Sequence, residues 1–239
     1  PLRAETPVAA GGTIVLENLA GRVEVVGTRG AEAVLTGAAF CDAGSPSGSQ
    51  ALLDALSVHV SGGGDRATLH VVYPVEKEPF RYRDRERSGS SWGHSSSTVD
   101  YQGRKVKVTE GGGSGPLLYA DLRLEVPAGV SVVVTDHVGR VEARGVGAGF
   151  EVKTASADVR ADETAGALKV KTGSGDIRVD GSAGLEVSTV AMSRVWRRWR
   201  RRSSTSPLKN ERAGGACGAW CPQAVTNIMQ LAPGLSPTT

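Results

Sequence analysis

An internal repeat of 17 or 18 residues constrains the fold of this chain more than any other feature of its sequence. Residues 150–166 read FEVKTASADVRADETAG and align with residues 168–184, which read LKVKTGSGDIRVDGSAG. A third copy starts with LEVST at 185–189, and a fainter one precedes them at 132–149. Each copy consists of a short alternating strand, a turn, a second short strand and a glycine-rich return. A unit this short cannot bury an apolar face alone, so the copies must stack.

The alternation of apolar and polar residues assigns the side chains of the repeats to an inner and an outer face. Equivalent inner residues would stack about 4.8 Å apart in two ladders. The ladders are Phe150, Leu168 and Leu185, and Val152, Val170 and Val187. We therefore predict an all-β fold, a single-chain β-solenoid similar to a parallel β-helix, built of short strands with 17–18-residue repeats.

Residues 1–190 are predicted to form one domain, in which an irregular β-rich part precedes the repeats. Alternating segments before residue 132 indicate strands of ordinary length, and turn-rich sequence such as GSPSGS at 44–49 separates them. The clearest repeats occupy 130–189. Residues 74–103 are polar and rich in Ser and Arg, which predicts a long mobile loop.

The composition changes abruptly near residue 190. Residues 1–190 carry 20 Lys and Arg against 24 Asp and Glu, whereas residues 191–239 carry 8 basic side chains and one acidic side chain. The repeat also stops partway through a copy. We interpret 191–239 as an atypical basic tail that is disordered or is the product of a frame slip, and we expect it not to pack on the repeats. The alternative is that 194–202 forms a basic amphipathic segment that binds anionic lipid or nucleic acid.

No residue pattern indicates a catalytic, cofactor or metal site. The histidines are scattered along the chain, which favours packing or surface roles. They are His59, His70, His94 and His137. Asp158 and Asp176 follow turn residues but lack the glycine-rich order of a calcium-binding repeat, so a turn-forming role is favoured. We expect no enzymatic activity and no cofactor.

A partner-binding surface is the remaining candidate site. Four cations of the repeats are predicted to face outwards, where they suit an extended polyanionic or polar polymer. They are Lys153, Arg160, Lys171 and Arg178. Phe80 and Tyr82 lie among charged residues at 76–87 and are predicted to form a second contact surface, because aromatic and Arg side chains dominate binding hot spots.

Three motifs occur in the order found in a known family. The opening Asn-x-x-Gly-x-Val-x-Val starts at Asn18, a strand-Pro-x-Gly corner follows at Pro127, and a Ser-Gly-Asp-hydrophobe turn starts at Ser174. In these motifs residues 1–190 resemble the bacterial putative-adhesin family of β-helical repeat domains. The resemblance implies a domain of unknown function in a cell-envelope, periplasmic or secreted protein, with no catalytic residues to carry over.

The repeats and the family resemblance are consistent with two functional classes. The first is a non-enzymatic cell-envelope or secreted domain with an adhesin-like binding or structural role, whose partner is a surface glycan or an envelope protein. The alternative is an intracellular or membrane-tethered structural or regulatory module that acts through its tail or a downstream segment. Nucleic acid is not expected as a partner, and membrane contact is expected only through an upstream segment or the basic tail. The numbering starts at Pro1, without an apolar leader segment.

Overall fold

The computed structural model describes residues 1–74, 79–83, 96–111, 113–189 and 195–198. Within these ranges the chain is mostly β, with thirteen strands in one mixed sheet and one helix, α1 (Pro46–Ala55). The strands are β1 (Leu2–Thr28), β2 (Glu32–Asp42), β3 (Ser57–Val72), β4 (Phe80–Tyr82), β5 (Ser96–Tyr101), β6 (Arg104–Glu110), β7 (Leu117–Pro127), β8 (Ser131–Arg144), β9 (Phe150–Asp162), β10 (Ala167–Ser174), β11 (Ile177–Asp180), β12 (Gly184–Thr189) and β13 (Val195–Arg198). The sheet is open, because its strand order runs from β12 to β5 without closing.

Strands β8, β9, β10 and β12 pair in parallel at a nearly constant sequence offset. Phe150 of β9 pairs with Leu168 of β10, which pairs with Leu185 of β12. The same register aligns Val152, Val170 and Val187. Val152 and Val170 are fully buried. The predicted inner positions and their alignment between copies are therefore confirmed for these strands.

Strand β1 belongs to the same parallel stack, so the expectation of an irregular N-terminal part is wrong for this strand. Most residues from Thr13 to Val26 pair in register with β8. Leu16 lies beside Val134, and Val134 lies beside Val152. The apolar columns of the repeats thus continue into the first strand of the chain.

The remaining strands make the sheet mixed. Strand β2 pairs antiparallel with both β1 and β7, and β5 pairs antiparallel with β6. Strands β3 and β7 pair parallel with β1. The uniformly parallel stack suggested by the repeats is therefore limited to part of the sheet.

The expectation of a mobile loop at 74–103 is wrong for the part of it that the structure describes. Strands β4 and β5 lie inside this range. Val99 and Tyr101 of β5 are buried because β5 packs its apolar side chains into the core. The rest of the proposed loop, 75–78 and 84–95, lies outside the described residues.

Helix α1 begins within 44–49, whose composition predicts a turn. Ser45 caps the helix, and its hydroxyl accepts a hydrogen bond from the backbone N–H of Gly48 at 3.2 Å. Pro46 follows at the first helical position, where its missing N–H needs no partner. The Ser-Pro pair is thus a helix start signal in a stretch whose glycine and serine content is typical of turns.

Strand β13 corrects the expectation that nothing after residue 190 packs on the repeats. It pairs in parallel with β11, so that Val195 lies beside Ile177 and Trp196 lies beside Arg178. Val195 is half-buried against the core because it extends the apolar column of Val159 and Ile177. The rest of the tail, 190–194 and 199–239, lies outside the described residues.

Glycines occupy the position where successive parallel strands approach most closely. Gly21, Gly139 and Gly175 have φ values of +138°, +142° and +129°, which L-amino acids rarely adopt. A Cβ atom on Gly139 would collide with the carbonyl oxygen of Gly21, and a Cβ atom on Gly175 with that of Ala157. At Gly139 and Gly175 a side chain would therefore not fit beside the neighbouring strand.

We expect Gly139→Ala to destabilise the fold by more than about 2 kcal/mol, because it combines an unfavourable φ with a backbone collision. Gly184→Ala is the matched control: nothing lies within 4 Å of its Cβ position, and its φ is outside the left-handed region. The control should change the free energy of unfolding by less than about 0.5 kcal/mol. Urea unfolding of both variants measures the difference, and equal stabilities would contradict the close approach.

The facing of the repeat strands gives a second prediction. Val170→Asp would place an unpaired carboxylate between apolar side chains of β9 and β12 and should destabilise the fold by several kcal/mol. Lys171→Ala should have little effect, because the Lys171 side chain is 58% exposed. Thermal melting compares the two variants. Similar melting temperatures would show that the inner and outer faces are assigned wrongly.

Candidate functional site

Two of the predicted surface cations, Arg160 and Arg178, line a groove of about 240 Å³ across β8, β9 and β11. Val159 contributes to one wall, and the other lining residues are charged. They are Arg140, Glu142, Asp158, Arg160, Asp176 and Arg178. Because the lining mixes guanidinium and carboxylate groups, the groove can both donate hydrogen bonds to anions and accept them from hydroxyl groups.

The strand register places the charged groups of the groove in a row. Arg160 pairs with Glu142 on one side and with Arg178 on the other. Arg178 in turn pairs with Trp196 of β13. In-register neighbours of a parallel sheet lie on the same face about 4.8 Å apart. The row therefore runs perpendicular to the strands, from β8 to β13.

The charged residues of this row differ in their ion-pair partners. Nη2 of Arg22 lies 2.8 Å from Oε2 of Glu142, and Nε of Arg160 lies 3.0 Å from Oδ2 of Asp162. Arg178 is exposed and makes no ion pair with any residue that the structure describes. It therefore keeps its donors available to a ligand.

The structure separates Lys153 and Lys171 from the two arginines. They pair with each other across β9 and β10 and do not line the groove. Oε1 of Glu151 lies 3.5 Å from Nζ of Lys153 and 3.7 Å from Nζ of Lys171. Because the Glu151 carboxylate lies close to both lysines, it partly neutralises their positive charge.

Phe80 and Tyr82 do not form a contact surface, which corrects the second predicted site. Phe80 is fully buried and Tyr82 is 3% exposed. The Tyr82 ring packs edge-on against Tyr119, with ring centroids 5.4 Å apart. The charged neighbours of these residues suggested a solvated loop, but pairing of β4 with β6 turns both aromatic side chains into the core.

The structure also contains a buried polar cluster that the sequence does not reveal. Nδ2 of Asn18 donates to Oδ1 of Asp136 at 2.9 Å, and the Tyr73 hydroxyl donates to Oδ1 of Asn18 at 2.8 Å. Burial raises the pKa of the Asp136 carboxyl well above its usual range and also raises the pKa of Tyr73. Oδ2 of Asp136 is buried and accepts no hydrogen bond from the described residues.

Glu17, His70 and His137 form a second polar cluster, although they are far apart in the sequence. Nδ1 of His70 lies 3.5 Å from Oε2 of Glu17, and Nε2 of His137 lies 3.8 Å from Oε1 of Glu17. The interaction with His137 and the charge of His70 lower the pKa of the Glu17 carboxyl despite its partial burial. These contacts depend on the pairing of β1 with β3 and β8, for which the sequence contains no local signal.

The described part of the chain contains no cluster of His, Cys, Asp and Glu arranged to hold a metal ion. Among the described residues there is also no helix with the length and apolar character needed to span a membrane. Comparisons with protein-family models, curated proteins and solved structures find no match for this chain. The function must therefore be argued from the site itself.

The buried carboxyl group predicts a specific pH dependence of stability. Because the pKa of Asp136 is raised in the folded state, the folded protein keeps a proton that the unfolded chain loses above about pH 4. This contribution to stability falls as the pH rises towards the folded-state pKa. Asp136→Asn should remove this decline and should be more stable than the original protein at pH 8, since its Oδ1 still accepts from Asn18.

Urea unfolding between pH 5 and pH 8 measures this effect, with Asp100→Asn as the matched control. Asp100 is exposed, so its substitution should leave the pH profile unchanged. Glu17 has the opposite effect on stability. Because its pKa is lowered in the folded state, its contribution to the free energy of unfolding is lost only as the pH falls through the acidic range. An Asp136→Asn profile that parallels the original one from pH 5 to 8 would contradict the prediction.

Proposed function

We propose that this protein is a non-enzymatic β-repeat domain of the bacterial cell envelope or of a secreted protein, with an adhesin-like role in binding an extended anionic partner. We also propose that its repeats form a β-solenoid of the parallel β-helix type. The in-register columns through β1, β8, β9 and β10 support this architecture. The sequence motifs shared with the adhesin family support the location.

The observation that carries the binding role is the position of Arg178. It lies beside Arg160 in the same groove and has no ion-pair partner among the described residues. The guanidinium groups of Arg160 and Arg178 repel each other, so this pair of residues contributes little to the stability of the fold. An anionic ligand that contacts both would relieve their repulsion, and bidentate donors favour carboxylate, phosphate or sulfate groups.

The shape of the site favours a polymer over a small substrate. The charged row crosses three strands on an outer face, whereas small-molecule sites are concave and largely apolar. The groove lining contains arginines and carboxylates. Together these groups can bind both the anionic groups and the hydroxyl groups of a polymer.

Charge reversal tests the proposed surface. Dextran sulfate serves as the probe, because it presents anionic groups along a flexible chain. Arg160→Glu/Arg178→Glu should weaken its binding at least about tenfold, and binding to the original protein should fall steeply between low and physiological salt. Isothermal titration calorimetry at several salt concentrations measures both effects.

Lys153→Glu/Lys171→Glu is the matched control, because it makes the same change of charge outside the groove. It should weaken binding much less than the arginine pair does. Circular dichroism melts establish that both double variants are folded. Binding that ignores salt, or that is lost equally in the two variants, would reject the groove as the contact surface.

A further inference from the structure

The row of in-register residues that crosses the groove continues beyond it to an aromatic side chain. Trp196 of β13 pairs in register with Arg178, so both side chains lie on the same face of the sheet. Trp196 is half-buried, which leaves part of the indole accessible. The exposed part of an indole ring is an apolar surface on which a sugar ring can stack.

The carboxylates of the groove restrict which anionic polymer can bind. Asp158 and Asp176 line the groove together with the arginines, and Oδ1 of Asp158 accepts a hydrogen bond from the backbone N–H of Asp176 at 2.9 Å. A polymer without hydroxyl groups, such as polyphosphate, would leave these acids without hydrogen-bond donors. A chain with fewer anionic groups and many hydroxyl groups would instead donate hydrogen bonds to them.

The spacing of the row fits a sugar chain. Neighbouring strands are about 4.8 Å apart, and a pyranose unit in an extended polysaccharide has a similar length. Arg160, Arg178 and Trp196 lie on successive strands at this spacing. Consecutive sugar units could thus meet consecutive strands, with carboxylates at the arginines and a sugar face on the indole.

We propose that the groove binds a linear acidic polysaccharide, built of pyranose units that carry carboxylate groups, lying across β8, β9, β11 and β13. Arg160 and Arg178 bind the carboxylates, Asp158 and Asp176 accept hydrogen bonds from the hydroxyl groups, and Trp196 stacks on a sugar ring. This ligand class rests on the proposed function, because it uses the same groove.

Polygalacturonate is the probe, and its methyl ester is the matched ligand, because esterification removes the charge and keeps the sugar chain. The protein should bind polygalacturonate at least about tenfold more tightly than the ester. Trp196→Ala should weaken binding of polygalacturonate by about three- to tenfold and should leave binding of dextran sulfate nearly unchanged. Trp196→Phe, which keeps an aromatic face, should restore most of the loss.

The outcomes separate the two proposals. Salt-dependent binding of dextran sulfate through Arg160 and Arg178, without preference for polygalacturonate over its ester, would overturn the ligand class and keep the anionic surface. Tighter binding of a single-stranded oligonucleotide than of polygalacturonate would also overturn it. If none of the polymers binds, both proposals fail. Circular dichroism melts of the Trp196 variants distinguish loss of binding from loss of structure.

Discussion

In-register parallel pairing of the backbone sets the position of both the core and the groove. Because β1, β8 and β9 pair without a shift along most of their length, equivalent side chains stand directly beside one another. Between β1 and β8 this close stacking needs a glycine, because a Cβ atom on Gly139 would collide with the carbonyl oxygen of Gly21. Gly139 therefore allows the register that aligns the columns of β1 with those of β8.

The same register that stacks apolar residues inside also places like charges side by side outside, at Lys153 and Lys171 and at Arg160 and Arg178. The protein resolves this conflict differently in two places. A single carboxylate, Glu151, lies close to both Lys153 and Lys171. In the groove, Arg160 has Asp162, whereas Arg178 has no charged partner among the described residues. An unresolved local conflict of this kind is expected at a functional position rather than at a purely structural one.

The alternation of apolar and polar residues predicted only contacts between residues that lie one repeat apart. The alternation in 150–189 identified the inner residues and their partners in the next copy, because each partner lies one repeat away. It could not identify the pairing of β1 with β8, since residues 29–130 lie between these strands. The contacts of Glu17 with His70 and His137 depend on that distant pairing, so the sequence scatters residues that the fold brings together. The burial of Phe80 was missed for the same reason: a strand of three residues takes its orientation from its neighbour.

The constant offset between β8, β9 and β10 has a consequence for how such a chain can change in length. Val132 pairs with Phe150, and Phe150 pairs with Leu168, so removal of residues 150–167 would bring Leu168 beside Val132 in an unaltered register. Duplication of the same segment would add one layer in the same way. Gene rearrangement could thus lengthen or shorten the charged row in steps of about 4.8 Å without redesigning the core.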